Sequence, residues 1–260
     1  MLIVLSPAKR LDFESKLPTR KHSLPTMVSE SAEIVDVLVE KSPDDIAALM
    51  DLSMSLAELN TERYQDWEPR FNRQNSRPAL MAFKGDVYVG MDIARYGERD
   101  FTHAQKTLRI LSGLHGVLRP LDLIQPYRLE MGTSLRTGRG KNLYEFWGEK
   151  ITDSLNSDLD ERSSNVLVNL ASVEYFGAVQ PERIEARIIS PMFLDEVNGR
   201  FKIVSFHAKR ARGAMASWLI LNRVKSVRAI KDFDGLGYHF DPERSEPDRP
   251  AFVRFKADVK

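Results

Sequence analysis

The sequence predicts a mixed α/β fold, with one or more mixed β-sheets flanked by helices in a single domain covering residues 1–260. Three observations point there. Short β-type apolar runs at residues 2–5 and 166–170 are separated by long segments with helical apolar spacing. An Asn-Gly pair sits between two β-rich runs. No repeat, low-complexity tract or Ser/Gly-rich linker marks a boundary between domains.

The elements follow in chain order. Leu2-Ile3-Val4-Leu5 reads as a buried strand that runs into a loop at Ser6-Pro7, with Lys9 and Arg10 in that loop. Residues 26–40 place Val28, Ala32, Val35 and Val39 on one helical face. Ser42-Pro43-Asp44-Asp45 is a helix start, with an N-cap, a proline at the first helical position and acidic residues in the first turn. Ala79-Leu80-Met81-Ala82-Phe83 suggests a second buried strand, ended by Lys84-Gly85-Asp86. Asp100 caps a helix carrying Phe101, Ala104, Leu108 and Leu111.

A turn, Ser112-Gly113-Leu114-His115-Gly116-Val117, follows that helix, and Pro120 suits the first turn of a short second helix that Pro126 ends. Residues 100–125 thus read as a helix, a hairpin and a helix. Asn142, with Glu145 three residues on, starts a helix carrying Phe146, Trp147, Ile151, Leu155 and Leu159. Asn198-Gly199 joins strands over 186–196 and 200–208. From Lys209 to about Val224 the pattern is helical, with Met215, Trp218, Leu219 and Ile220 in the core. Residues 234–250 read as loop, and 252–255 as a terminal strand.

Composition removes whole classes of chemistry. The chain has no cysteine, which excludes disulfides, thiolate zinc sites, iron–sulfur clusters and a cysteine nucleophile. No apolar run reaches the roughly 18 residues of a membrane span, and Met1 to Leu5 is too short for a signal-peptide core. The expectation is a soluble cytoplasmic protein with no membrane partner; a monomer is compatible with the sequence, which leaves the oligomeric state open.

The net charge of +1 conceals strong segregation. Residues 200–231 hold nine Lys and Arg and no Asp or Glu, and residues 105–150 hold eight against four. A local basic patch of this kind attracts polyanions, unless acidic helices neutralise it in the fold.

Few motifs carry chemistry. Ser6-Pro7-Ala8-Lys9 has the Ser-x-x-Lys spacing of an activated serine, without the helix start and the Lys-Thr-Gly partner that this chemistry requires. His22, His103, His115, His207 and His239 are isolated and form no metal-ligand pattern. The single glycine of Ala82–Tyr88 makes neither a P-loop nor a dinucleotide fingerprint, so no cofactor is called. Gly113-x-x-Gly116 lets the backbone approach a phosphate, whereas the usual DNA-gripping hairpin has Gly-x-Gly after Pro. By pattern alone an ordinary turn between packed helices accounts for it, and a KH-like loop lacks the rest of its pattern.

Taken together, Ser6-Pro7-Ala8-Lys9, residues 82–88, residues 111–132, Phe146-Trp147-Gly148 within 143–148, Asn169-Leu170-Ala171-Ser172 and residues 193–213 resemble the YaaA family of bacterial peroxide-stress proteins, from Met1 to about Phe240. The resemblance implies one α/β domain of unusual topology, a helix-hairpin-helix element, a positively charged cleft, and binding to duplex and branched DNA. It further implies protection of DNA by lowering free intracellular iron, with no established enzymatic reaction, catalytic residue or metal ligand. On that resemblance the DNA contacts are Ser112, Gly113, Leu114, His115, Gly116, Val117 and Arg119, joined by Lys9, Lys84, Arg128, Lys209, Arg210 and Arg212. Two other readings stay open. One is an enzyme acting on nucleic acid or a nucleotide in a cleft that gathers Lys9, Lys84, Asp86, Glu130, His207 and Lys209. The other is an iron-handling or regulatory partner that binds no nucleic acid.

Overall fold

The computed structural model describes residues 1–258. Leu2–Leu5 (β1) is buried at every position, as a strand covered on both faces must be. A two-residue strand, Arg10–Leu11 (β2), follows it. Three helices then form one side of the molecule: Val28–Val39 (α1), Pro43–Met50 (α2) and Met54–Gln65 (α3). The start of α2 is a reciprocal capping box: the Asp45 N–H donates to Ser42 Oγ at 3.2 Å, and the Ser42 N–H donates to the Asp45 carboxylate at 3.0 Å.

Residues 79–83 correct the sequence reading. Ala79–Ala82 is a buried helical turn (α4) between two minimal strands, Arg77–Pro78 (β3) and Phe83–Lys84 (β4). A short apolar run looks the same whether it is a strand or a fully buried helix, and periodicity cannot separate them. Asp86–Met91 (α5) follows at once. The next helix, Glu98–Thr107 (α6), begins two residues before Asp100, whose carboxylate reaches back to accept the Gly97 N–H at 2.9 Å.

The expected helix-hairpin-helix over 100–125 keeps only its first helix. Leu108–Ser112 (β5) and Gly116–Leu118 (β6) are antiparallel strands, and Leu123–Ile124 (β7) stands where the second helix was expected. Leu108 and Leu111 therefore belong to the sheet. Leu108-Arg109-Ile110 pairs in parallel with β1 and Leu111 pairs with Val117 of β6, and that pairing outweighs continuation of the helix.

The helix expected after Asn142 is two helices, Leu143–Trp147 (α7) and Lys150–Glu161 (α8), separated by Gly148 at φ 49°. Val166–Asn169 (β8) leads to Val173–Phe176 (α9) and Arg187–Ile189 (β9). Met192–Val197 (β10) and Arg200–Lys202 (β11) form the hairpin read from Asn198-Gly199, whose φ values of 53° and 73° suit a two-residue turn. The long helix Ser205–Leu221 (α10) starts four residues before the expected Lys209. Val227–Ile230 (α11) precedes His239–Glu246 (β12), a strand within the segment read as loop, and Arg249–Arg254 (β13).

Two sheets carry the fold. The central one has the order β6-β5-β1-β8-β9, parallel except for β6, and the second has the order β11-β10-β13-β12. One hydrophobic cluster joins them, running from Leu2 and Ile3 of β1 to Phe193 of β10 and Phe252 of β13, whose rings stack at 5.7 Å. Among the described residues no helix is long and apolar enough to cross a membrane.

Candidate functional site

The order of the central sheet places a crevice. The chain leaves β1 toward β5 on one side, whereas β8, on the other side of β1, continues outward to β9. The loops that leave the carboxyl ends of β1 and β8 therefore part, and open parallel sheets bind ligands at such a switch point. Here the two loops are tied together. The Ser172 N–H donates to Ser6 Oγ at 2.8 Å, the Ser6 hydroxyl donates to Ser172 Oγ at 3.3 Å, and the Leu170 N–H donates to the Val4 carbonyl at 3.0 Å. Ser172 also caps α9, accepting the Tyr175 N–H at 3.4 Å.

Above this seam lies a cavity of about 300 Å³. The loop after β1 contributes Ser6 and Lys9, and β2 contributes Arg10; the α5 entry contributes Lys84, Gly85 and Asp86; α10 contributes Lys209 and Arg212. Glu130, Glu174 and Tyr175 complete the wall. Lys209 and Arg212 reach the same cavity because residues three apart share a helix face. Their height above the floor is set by the contact of α10 with α5, which meet at Gly213 and Gly90.

The carboxylates neutralise only part of this charge. Lys9 Nζ lies 2.6 Å from Glu130 Oε2, Arg128 Nη2 lies 3.6 Å from Glu130 Oε1, and Lys84 Nζ lies 3.4 Å from Asp12 Oδ2. The Ser15 hydroxyl, with backbone N–H groups, holds the Asp12 carboxyl well below the usual carboxylate range. Arg10, Lys209 and Arg212 have no ion pair among the described residues. Arg212 is the most telling of these. Burial pushes its guanidinium below the ordinary arginine value, so it is a partly desolvated cation facing the cavity with no ion-pair partner of its own among the described residues. Burial also raises Tyr175, which keeps its phenol protonated.

The cavity does not end there. It shares Lys84 and Gly85 with a second of about 310 Å³, lined also by Asp12, Lys16 and Arg77. It shares Arg212 with a third of about 550 Å³ beyond the carboxyl ends of β8 and β9. The three are thus neighbours through the residues they share.

The expected site residues divide sharply. Lys9, Lys84, Lys209 and Arg212 meet in the cavity. Arg128 stands behind it as a brace for Glu130. Arg210 points to another face of α10, stacked 4.4 Å above the Phe206 ring with Asp86 at 3.9 Å. Of the cleft proposed for an enzyme, Lys9, Lys84, Asp86, Glu130 and Lys209 converge. His207 does not, and lies 3.3 Å from Asp195 instead.

Ser112, Gly113, Leu114, His115, Gly116 and Val117 are corrected outright, since all six are buried. Ser112 Oγ is 2.7 Å from the Tyr127 hydroxyl and accepts the His115 N–H at 3.0 Å. The His115 ring packs edge-on to Tyr127 at 5.2 Å and pairs with the Ser31 hydroxyl at 3.0 Å; burial holds its pKa down at about 3, so it is neutral. The glycines serve packing. A Cβ on Gly113 would meet the Leu129 carbonyl oxygen at 2.7 Å, and one on Gly116, at φ 63°, would meet Met27 Sδ at 2.6 Å and the Trp147 ring at 2.7 Å. Arg119 pairs with buried Asp122 at 2.9 Å and donates to the Leu24 carbonyl at 2.8 Å, bracing the turn.

Ser172, Glu174, Tyr175 and Arg10 were missed as site residues. Asn169-Leu170-Ala171-Ser172 carried a usable signal, a strand ending on a helix N-cap. Among the described residues no three His, Asp or Glu side chains gather as a metal-ligand set.

Comparison with known proteins places the chain in a family. Residues 1–244 match a family described as peroxide stress protein YaaA. The chain is 52% identical over 254 residues to a UPF0246 protein of Marinomonas sp. (strain MWYL1), covering 98% of this chain and 97% of that one. It is 50% identical over 254 residues to UPF0246 proteins of Shewanella amazonensis and Aliivibrio fischeri (strain ATCC 700601 / ES114), covering 98% of this chain in each case and 99% and 98% of theirs.

Proposed function

Because the chain belongs to the peroxide stress protein YaaA family, we propose that it serves peroxide defence by binding DNA through backbone phosphates in the cavities at the carboxyl ends of β1 and β8. The observation that carries this reading is Arg212, a guanidinium facing the cavity with no ion pair among the described residues, beside Lys209, Lys84, Lys9 and Arg10. A phosphate there gives the cation its counter-charge and displaces condensed counterions from the strand. Binding is then sequence-independent and falls steeply with salt. A cavity of about 300 Å³ is large enough for a backbone phosphate and its sugar and excludes a duplex cross-section. The reading therefore favours DNA with an accessible strand, as at a branch.

Lowering of free iron belongs to the same reading. Its support is the family's description as a peroxide stress protein, since Fe(II) converts hydrogen peroxide into the radical that cleaves DNA. The test of DNA binding is a salt-dependent titration of the full chain against duplex, branched and single-stranded DNA. Affinity that is absent at low salt for all three sinks the proposal.

A second reading, an enzyme acting on nucleic acid or a nucleotide, is favoured by one observation. Lys9 and Glu130 form a 2.6 Å pair in the same cavity as Asp86, Lys209 and the Ser6–Ser172 seam, so proton donors and acceptors face the place a phosphate would occupy. Incubation of labelled DNA and free nucleotides with the protein and its Glu130→Gln variant, read by product separation, tests it. Product formed by the parent and lost in the variant would establish a reaction.

A further inference from the structure

The third of the neighbouring cavities differs from the other two. Its cavity, about 550 Å³, lies past the carboxyl ends of β8 and β9, and apolar side chains dominate its walls. Val173 and Ile203 contribute to it while 89% and 60% exposed, and Phe176 stands with them. Polar side chains are few: Asn169, Ser190, Arg212 and Arg249, the last paired with Glu246 at 3.5 Å. The Asn169 carboxamide is held by its own oxygen, which accepts the Ala171 N–H at 3.0 Å, and by its nitrogen, which donates to Ser190 Oγ at 3.4 Å. Arg212 lines both this cavity and the cationic one.

A group held by Arg212 in the cationic cavity therefore has an apolar recess directly beside it. The ligand that matches this pair has an anionic group and a flat body with apolar faces and a polar edge, joined by a short linker. One nucleotide of a DNA strand has that constitution. Proteins that draw a base out of its stack hold it between apolar side chains and read its edge with hydrogen-bonding groups. The recess offers both, and its volume lies within the roughly 300–1,000 Å³ of small-molecule sites.

We propose that this recess receives one unstacked nucleobase of the DNA strand whose phosphate Arg212 holds. The inference rests on the DNA-binding reading above and adds to it a site for the base. Val173 and Ile203 form the apolar walls, and Asn169 and Ser190 face the base edge.

The test compares two probes on the full chain: a duplex with one bulged thymidine, and the same duplex with an abasic residue in the bulge. Fluorescence anisotropy is expected to show the thymidine bulge bound about tenfold more tightly, the scale of one stacked base. The Val173→Ser, Ile203→Ser double variant replaces two exposed side chains without adding charge. It is expected to lose that preference while binding the abasic bulge as the parent does. Equal affinity of the parent for the two bulges overturns the base site and leaves phosphate binding standing. Retention of the preference by a folded double variant overturns it too. No binding of either probe by the parent at low salt overturns both readings.

Discussion

Gly213 of α10 rests against Val87 of α5 so closely that a Cβ built on Gly213 would stand 1.8 Å from the Val87 carbonyl oxygen. Gly90 makes the reciprocal contact, with its Cβ position 2.0 Å from the Arg210 carbonyl oxygen. Backbone cannot yield as a flexible side chain does, so Gly213→Ala must push the two helices apart. The alanine gains about 1 kcal/mol in helix propensity. Overpacking costs roughly 1–3 kcal/mol or more. Urea denaturation is expected to show a net loss of stability, and a Gly213→Ala protein as stable as the parent would refute the close crossing.

That crossing illustrates what could be read from the sequence and what could not. Helical spacing puts Lys209 and Arg212 on one face, and they do share a cavity. Caps are local, and Ser42 and Asn142 stand where their side chains place them. Residues 108–118 were illegible for the opposite reason. Their strand state depends on pairing with Leu2–Leu5, a hundred residues away, and no local pattern reports a partner at that distance. The two glycines of the turn looked like devices for approaching a ligand because close approach to Leu129 or Trp147 demands the same residue. Tyr175 and Glu174 escaped notice because the topology of β1 and β8, and no motif, brings them to the cavity.

The buried turn makes a separate expectation. Ser112 Oγ accepts from the His115 N–H and pairs with the Tyr127 hydroxyl, all inside the protein. Ser112→Ala leaves both without that partner, at a cost of about 1–3 kcal/mol. Chemical denaturation is expected to show this loss, while DNA affinity of the folded variant and its salt dependence stay at the parent's values. Weaker DNA binding by a fully folded Ser112→Ala protein would return the turn to the interface.

His115 sets an acid sensitivity whose sign follows from its burial. The unfolded chain takes up a proton near 6.5, whereas the folded imidazole resists protonation until about 3. Between those values the unfolded state binds more protons, so stability falls as pH drops below about 6.5. Denaturation at about pH 7 and about pH 5 should differ by roughly 2 kcal/mol more in the parent than in His115→Asn. Carboxylates titrate lower and leave this window mostly to histidine. Equal pH dependence in the two proteins would show that His115 is charged or solvated in the fold.

The cavity reading makes a prediction that separates local from overall charge. Lys84, Lys209 and Arg212 line the cationic cavity, whereas Lys202, Lys225 and Arg228 are exposed cations outside it. Alanine at either set removes the same charge, so long-range attraction to DNA changes alike. Direct phosphate contacts add something that distance does not. Each one lost makes the slope of log affinity against log salt shallower by about 1. The cavity triple variant is therefore expected to flatten that slope by about 2–3, and the outer triple variant by less than about 1. Circular dichroism and melting curves on both proteins exclude misfolding as the cause. Equal flattening by the two sets would mean that DNA meets a diffuse basic surface and that the crevice between β1 and β8 has another ligand.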